Sequence, residues 1–156
     1  MLQVNKILTY GLLAFVFVSI GFALGKHSIK TERPPDSLSN GNGHYVAVYY
    51  LHSTFRCVTC NTIEKMTREL LDKAYSNELA EGKIKWNEDD FQENEALAKQ
   101  FEVVASCVVV AELEDGAVLN YERLDEVWTK MMDTEAFDRY ISETITEYLK
   151  KIGGES

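Results

Sequence analysis

The stretch Cys57-Val58-Thr59-Cys60 follows an apolar run, Tyr45-Val46-Ala47-Val48-Tyr49-Tyr50-Leu51, and precedes a helical pattern that begins near Asn61. A cysteine at the start of a helix lies beside free backbone N–H groups and the positive end of the helix dipole, which favour a thiolate. A second cysteine one turn later can attack a mixed disulfide formed on the first. We therefore predict that Cys57 is the attacking thiol and Cys60 the resolving thiol. Arg56 adds a positive charge that is expected to stabilise the thiolate further.

The cysteine pair also admits two other interpretations. A structural zinc site normally uses four ligands, and the chain has neither a second Cys-x-x-Cys nor a His-x-His. A permanent disulfide across so short a loop would remove little entropy from the unfolded chain. We therefore favour a redox-active pair and retain, as the alternative, a soft-metal module that binds or delivers copper or zinc. A further ligand for that module would be Cys107 or His52.

Composition limits the chain to one globular domain with an accessory segment. It has 156 residues, of which 46% are apolar, and a formal net charge of −9. After Arg33 there are 12 basic and 24 acidic residues, so nucleic-acid binding is not expected. Three cysteines are too few for a disulfide framework and fit one exchangeable pair plus a single thiol. The sequence has no Gly-x-Gly-x-x-Gly fingerprint, so no flavin or dinucleotide cofactor is expected.

The N-terminal part of the chain is first apolar and then polar. Residues 7–25 are 19 uncharged residues between Lys6 and Lys26, enough for a helix to cross roughly 30 Å of hydrocarbon. We predict a membrane anchor or signal over residues 1–25, favouring an uncleaved single-pass anchor. Residues 26–43 hold both prolines and a Ser/Asn/Gly-rich run, and are predicted to form a flexible tether. The domain at residues 44–152 is expected on the extracytoplasmic (periplasmic) side, the oxidising surface where a tethered redox pair has a task.

The rest of the chain alternates strand and helix patterns. The apolar run at 45–51 is typical of a strand buried on both faces. Apolar residues at helical spacing follow the cysteines and recur near the C-terminus, where Asp133 can cap a helix and Gly153 can end it. Asp115-Gly116 predicts a hairpin turn. The predicted order is β-α-β-α-β-β-α.

This order, with Cys-x-x-Cys at the junction of the first strand and first helix, resembles the thioredoxin fold over about residues 44–151. The chain departs from thioredoxins around the pair. Val58-Thr59 stand where thioredoxin has Gly-Pro, and Arg56 stands where it has tryptophan. Residues 45–51 offer no counterpart of the buried Asp that assists proton transfer, and residues 105–107 contain no proline for the cis-proline loop. The resemblance implies an α/β domain with a minimal thioredoxin fold and thiol–disulfide chemistry, but does not imply general protein-disulfide reductase activity.

A longer string is similar to a narrower family. The segment Tyr-Tyr-Leu-His-x-x-x-Arg-Cys-x-Thr-Cys-Asn-x-Ile-Glu at 49–64 is followed by Val-x-Ala-Ser and a valine strand at 103–110. Both resemble small bacterial thioredoxin-like proteins that are named as nitrophenyl-compound nitroreductase subunits of the ArsF type. This resemblance implies an auxiliary role in electron delivery or detoxification beside a partner redox enzyme.

Four other residues are candidates for supporting roles. Cys107, predicted to face the pair, is either a third thiol or a buried small apolar residue. Ser106 either bonds a partner's backbone or is an ordinary turn serine. His52 is either a proton relay or metal ligand, or a hydrogen-bonded structural histidine. Lys85 either stabilises the thiolate or is a solvated strand lysine. The acidic run at 88–90 is interpreted as a solvated loop.

Overall fold

A computed structural model describes residues 43–154. The predicted anchor (residues 1–25) and the predicted tether (residues 26–43), apart from Gly43, lie outside the described residues. Within 43–154, no helix has both the length and the apolar character needed to cross a bilayer. The described elements are β1 His44–His52, α1 Val58–Ala74, α2 Ser76–Ala80, β2 Ile84–Asp90, α3 Glu95–Gln100, β3 Cys107–Glu114, β4 Ala117–Leu124, α4 Val127–Lys130 and α5 Thr134–Ile152.

The four strands form one mixed sheet in the order β2-β1-β3-β4. β1 pairs parallel with β2 and antiparallel with β3, and β3 pairs antiparallel with β4. Residues 45–51 of β1 are all buried, as predicted, because this central strand is covered on both faces. With the short helices α2 and α4 added, the chain follows the predicted β-α-β-α-β-β-α order of a mixed α/β, thioredoxin-like fold.

The core has two layers, because successive side chains of a strand point to opposite faces of the sheet. One layer lies between the sheet and helices α1 and α5, and its largest members include Tyr50, Ile63, Leu71, Phe137 and Ile141. The other lies between the sheet and α3, and its members include Tyr49, Leu51, Leu97, Phe101 and Cys107. α1 therefore packs on the face of the sheet opposite α3.

Two sequence signals gave the expected local structure. The side chain of Asp133 accepts hydrogen bonds from the backbone N–H groups of Glu135 and Ala136 and so caps α5. Asp115 and Gly116 have φ angles of 50° and 82°, the left-handed conformation that a two-residue hairpin turn requires between β3 and β4. The predicted C-terminal helix and the predicted hairpin are both confirmed.

The acidic run at 88–90 lies in a strand, and its interpretation as a loop was wrong. β2 continues to Asp90 because its backbone pairs with β1 as far as His52. β2 is an edge strand, so these carboxylates still reach solvent while the backbone stays paired. Residues 88–90 have low intrinsic strand propensity, but backbone pairing with β1 outweighs it.

Candidate active site

The segment between β1 and α1 is held by hydrogen bonds from two distant parts of the chain. The backbone N–H of Ser53 donates to Ser106 Oγ at 3.3 Å. The backbone N–H of Thr54 donates to Gln92 Oε1 at 3.0 Å. These bonds fix the backbone that leads to Cys57 and place the residues before β3 and the turn after β2 beside it.

Cys57 and Cys60 are joined as a disulfide at the N-terminus of α1, with their Cα atoms 5.1 Å apart. Cys57 is the N-cap residue of α1. Its Sγ accepts a hydrogen bond of 3.1 Å from the backbone N–H of Cys60. Cys60 is 5% exposed, whereas Cys57 is partly exposed. The helix N-terminus would stabilise a thiolate at Cys57 in the reduced pair. This geometry gives a partner's sulfur easier access to Cys57, as the predicted attacking and resolving roles require.

Tyr50 contacts the second cysteine through its hydroxyl, which donates a hydrogen bond of 2.7 Å to the carbonyl oxygen of Cys60. Burial raises the pKa of Tyr50 to about 12, so the hydroxyl remains a donor at neutral pH. The bond ties the first turn of α1 to the central strand. The apolar run predicted that Tyr50 is buried but did not predict its contact with Cys60. The alternation of side chains along the strand, which turns Tyr50 towards α1, could have indicated this contact.

Arg56 is bound by two carboxylates. Its Nη1 donates to Glu88 Oε1 at 2.7 Å, and its Nη2 donates to Glu64 Oε2. The guanidinium carbon also lies 5.9 Å from the centre of the Tyr50 ring. The sequence predicted that the positive charge of Arg56 would stabilise the thiolate. In the structure two carboxylates, Glu64 and Glu88, oppose that charge.

His52 lies in the same group. Its Nδ1 donates to the carbonyl of Ser53 at 3.0 Å, and its Nε2 is 3.6 Å from Glu88 Oε1. The histidine side chain is 14% exposed, which fits the hydrogen-bonded structural interpretation. We refer to His52, Arg56, Glu64 and Glu88 as the Arg56 cluster. The two glutamates were missed from the sequence, although Glu64 follows Cys60 by one helical turn.

Ser106 connects two segments beside the disulfide. Its hydroxyl oxygen accepts from the Ser53 N–H, and its carbonyl accepts from Trp128 Nε1 at 2.7 Å. The residue is 6% exposed and its hydrogen bonds lie within the chain, which favours a structural serine over a contact with a partner's backbone. Trp128 was missed, because α4 is too short to show helical periodicity in the sequence.

Cys107 does not face the disulfide, and that prediction was wrong. It is the first residue of β3, pairs with Leu51, and lies in the core layer on the α3 side, opposite α1. The residue is 1% exposed, and burial raises the pKa of Cys107 to about 12. The thiol is therefore protonated at neutral pH, in keeping with a buried small apolar residue rather than a third redox thiol or a metal ligand.

Lys85 is also remote from the pair. It pairs with Ala47, five residues before the end of β1, which corresponds to about 16 Å along a strand. Its Nζ lies 3.7 Å from the centre of the Tyr45 ring, towards the start of β1. Of the two interpretations of Lys85, the strand lysine therefore fits the structure and stabilisation of the thiolate does not.

The structure therefore brings His52, Arg56 and Ser106 to the disulfide segment and leaves Cys107 and Lys85 elsewhere. Among residues 43–154, no group of three or more His, Cys, Asp and Glu side chains is arranged to hold a metal ion. This arrangement is suited to thiol–disulfide exchange between the Cys57–Cys60 disulfide and another pair of thiols.

Solved structures that resemble the chain include three thioredoxins. Fasciola hepatica thioredoxin is 18% identical, with a TM-score of 0.43, and the match covers 69% of this chain and 83% of that one. Malassezia sympodialis thioredoxin is 16% identical, with a TM-score of 0.45 and coverage of 69% and 78%. Mitochondrial thioredoxin 3 of Saccharomyces cerevisiae, in its oxidised form, is 16% identical, with a TM-score of 0.42 and coverage of 70% and 82%. No family model and no curated protein sequence matches the chain. The fold assignment rests on the strand order and the position of the cysteine pair.

Proposed function

We propose that the chain is a thiol–disulfide oxidoreductase that uses Cys57 and Cys60 as its redox pair. The observation that carries this proposal is the position of the disulfide, at the N-terminus of a long helix that follows the central strand of the sheet. The partly exposed Cys57 and the buried Cys60 suit one attacking and one resolving thiol.

The exchange has two steps, written here in the direction that reduces a partner. The Cys57 thiolate attacks one sulfur of the partner's disulfide, that S–S bond breaks, and the first partner thiolate leaves and takes a proton. Cys60 then loses its proton and attacks Cys57 Sγ, the mixed disulfide breaks, and the second partner thiol leaves. Two electrons pass from the pair to the partner, and a dithiol reductant restores the pair. Oxidation of a partner is the reverse sequence.

The proposed setting of this reaction is a membrane surface. Residues 1–25 would form the anchor, residues 26–43 the tether and residues 44–152 the catalytic domain, on the extracytoplasmic side. The uncharged run of 19 residues between Lys6 and Lys26 supports an anchor. The partner would be a protein thiol or disulfide, or a redox or detoxification enzyme that the chain assists. The resemblance of residues 49–64 to the ArsF-type proteins supports the auxiliary role.

The full chain produced in bacterial cells is expected to stay in the membrane fraction after an alkaline carbonate wash. A chain that lacks residues 1–25 serves as the control and is expected to be released, because it has lost the apolar run. In spheroplasts treated with a reductant, a membrane-impermeant maleimide should label Cys57 of the full chain. Release of the full chain by carbonate would contradict the anchor, and labelling only after lysis would contradict the extracytoplasmic side.

In glutathione buffers of graded redox potential, the full chain is expected to lose two electrons reversibly, with the change confined to Cys57 and Cys60. Intact-mass analysis after alkylation counts the free thiols at each potential. Cys107 is the internal control, because its burial and its pKa of about 12 should leave it unmodified until the chain is unfolded. Replacing both Cys57 and Cys60 by alanine should remove the transition entirely.

Two results would contradict the redox function. If Cys57 and Cys60 stay reduced in every buffer, the pair has no redox function. Stoichiometric copper or zinc that protects Cys57 and Cys60 from alkylation would instead support the soft-metal alternative.

A further inference from the structure

Four large apolar side chains are exposed around the disulfide. Phe55 is 83% exposed, Val58 84%, Val104 87% and Trp128 37%. Phe55 and Val58 stand on either side of Cys57 in the chain, and Val58 opens α1. We call these four residues the apolar collar. Exposed apolar side chains gathered at one place mark an interaction surface, since each would be more stable out of water.

Hydrogen bonds place the three segments of the apolar collar together. Ser106 accepts from the Ser53 N–H at 3.3 Å and from Trp128 Nε1 at 2.7 Å. Val104 precedes Ser106 by two residues and lies in the same loop. The segment before Cys57, the loop before β3 and helix α4 therefore meet at Ser106, and the collar borders the accessible sulfur.

Carboxylates border the apolar collar on two sides. On one side, the turn after β2 carries Glu93 and lies against the disulfide segment, where the Phe91 N–H donates to the carbonyl of His52 at 3.0 Å. On the other side, Glu102 lines a surface cavity together with Val103 and Val104. Both carboxylates are exposed. The collar therefore has acidic groups at both edges.

Nearby cations offset only part of this negative charge. Arg56 is paired within the Arg56 cluster, and Lys99, which lines the cavity beside Glu102, is paired with Glu95. Arg123 is paired with Asp125 and also donates from Nη1 to the backbone carbonyl of Glu102. Among the ion pairs of the described residues, none joins Glu93 or Glu102 to a lysine or arginine. Residues 43–154 contain 12 basic and 22 acidic residues, so the surrounding charge reinforces a negative potential at the collar.

We propose that the partner presents its disulfide to Cys57 on an apolar segment flanked by lysine or arginine. This inference rests on the proposed thiol–disulfide activity and specifies its substrate class. Apolar partner residues would cover the collar, and flanking cations would face Glu93 and Glu102. For a basic partner, this charge complementarity mainly raises the association rate, by about tenfold or more at low salt. For an acidic partner, the same carboxylates lower the association rate.

Two synthetic peptides test this proposal with the reduced full chain. They have the same length, the same internal disulfide and the same apolar residues, and differ in three flanking positions that are lysine in one and glutamate in the other. We expect kcat/KM to be about tenfold higher for the lysine peptide at low salt. The ratio should fall towards one as the salt concentration rises, because salt screens exposed charges.

Matched charge reversals separate a local effect from the overall charge. Glu93→Lys with Glu102→Lys should abolish or invert the preference between the peptides. Glu114→Lys with Glu143→Lys changes the net charge equally and should keep the preference. Glu114 ends β3 beside His44, the first residue of β1, and so lies at the end of the strands away from the disulfide. Glu143 lies on α5 beside the end of α1. Phe55→Ser should lower kcat/KM for both peptides, because it removes apolar contact.

A small uncharged disulfide distinguishes failure of this inference from failure of the proposed function. If the full chain reduces hydroxyethyl disulfide but treats both peptides alike, the basic substrate class is wrong and the redox function stands. Equal loss of preference in both double variants would also overturn the inference, because the effect would then come from net charge. If no disulfide is reduced, the proposed function itself fails.

Discussion

Cys60→Ser is expected to accumulate a covalent complex with the partner, whereas Cys57→Ser is expected to form none. Cys57 is the partly exposed N-cap of α1, and Cys60 is 5% exposed. With serine at position 60, Cys57 still attacks a disulfide, but no second thiol is available to break the mixed disulfide. With serine at position 57, the remaining sulfur is buried, and exchange is expected to fall below detection.

The measurement uses the reduced full chain and a disulfide peptide that carries a fluorophore. Non-reducing electrophoresis and intact mass then report the covalent complex, which should disappear on addition of dithiothreitol. Cys107→Ser is the matched control; because Cys107 lies in the opposite layer of the core, this variant should exchange like the unchanged chain. Equal trapping by the variants at positions 57 and 60 would contradict the assignment of roles.

Substitutions in the Arg56 cluster are expected to move the reduction potential of the pair in opposite directions. Glu64→Gln with Glu88→Gln leaves the charge of Arg56 unopposed, which stabilises a thiolate at Cys57 and therefore the reduced form. The potential should rise by about 20 mV, roughly 1 kcal/mol for a two-electron couple. Arg56→Gln leaves the two carboxylates alone near the sulfur, so the potential should fall by about the same amount. Partial solvent exposure of all three side chains keeps the effect small.

Equilibration with glutathione measures each potential, and ultraviolet absorbance of the thiolate against pH gives an independent signal. The thiolate should appear at lower pH in the double glutamine variant and at higher pH in Arg56→Gln. Glu69→Gln is the control, because Glu69 pairs with Lys65 on the exposed face of α1, further from the cysteines. Shifts of the same sign in both test variants would show that the cluster acts through folding rather than through charge.

The sequence alone was sufficient to predict the parts of the fold that depend on local patterns. An all-apolar run marked β1 as a strand covered on both faces, Asp115-Gly116 marked the hairpin, and Asp133 marked the start of α5. Each signal acts over a few residues, and tertiary packing agrees with it. The cysteine pair was located in the same way, because the change from strand to helix pattern falls beside it.

The surroundings of the pair depend on register, which the sequence does not reveal. Cys107 faces away from α1 because it pairs with Leu51, and a shift by one residue would turn it to the other face. Glu88 reaches Arg56 because β2 pairs in parallel with β1 up to His52. Lys85 pairs with Ala47, near the start of β1, and is therefore far from the sulfur atoms that follow the end of this strand. Predictions for side chains were therefore weakest where two distant strands decide the neighbour.

The position of β2 at one side of the sheet affects how copies of the protein meet. An outer strand offers unpaired backbone groups that could hydrogen-bond to another molecule's strand and begin aggregation. On β2 such pairing is opposed by three consecutive carboxylates, Glu88, Asp89 and Asp90, because a second copy would bring like charges alongside them. The carboxylates of Glu88, Asp89 and Asp90 therefore oppose strand pairing between copies along β2. The domain can expose apolar side chains at the disulfide without promoting edge-to-edge self-association along β2.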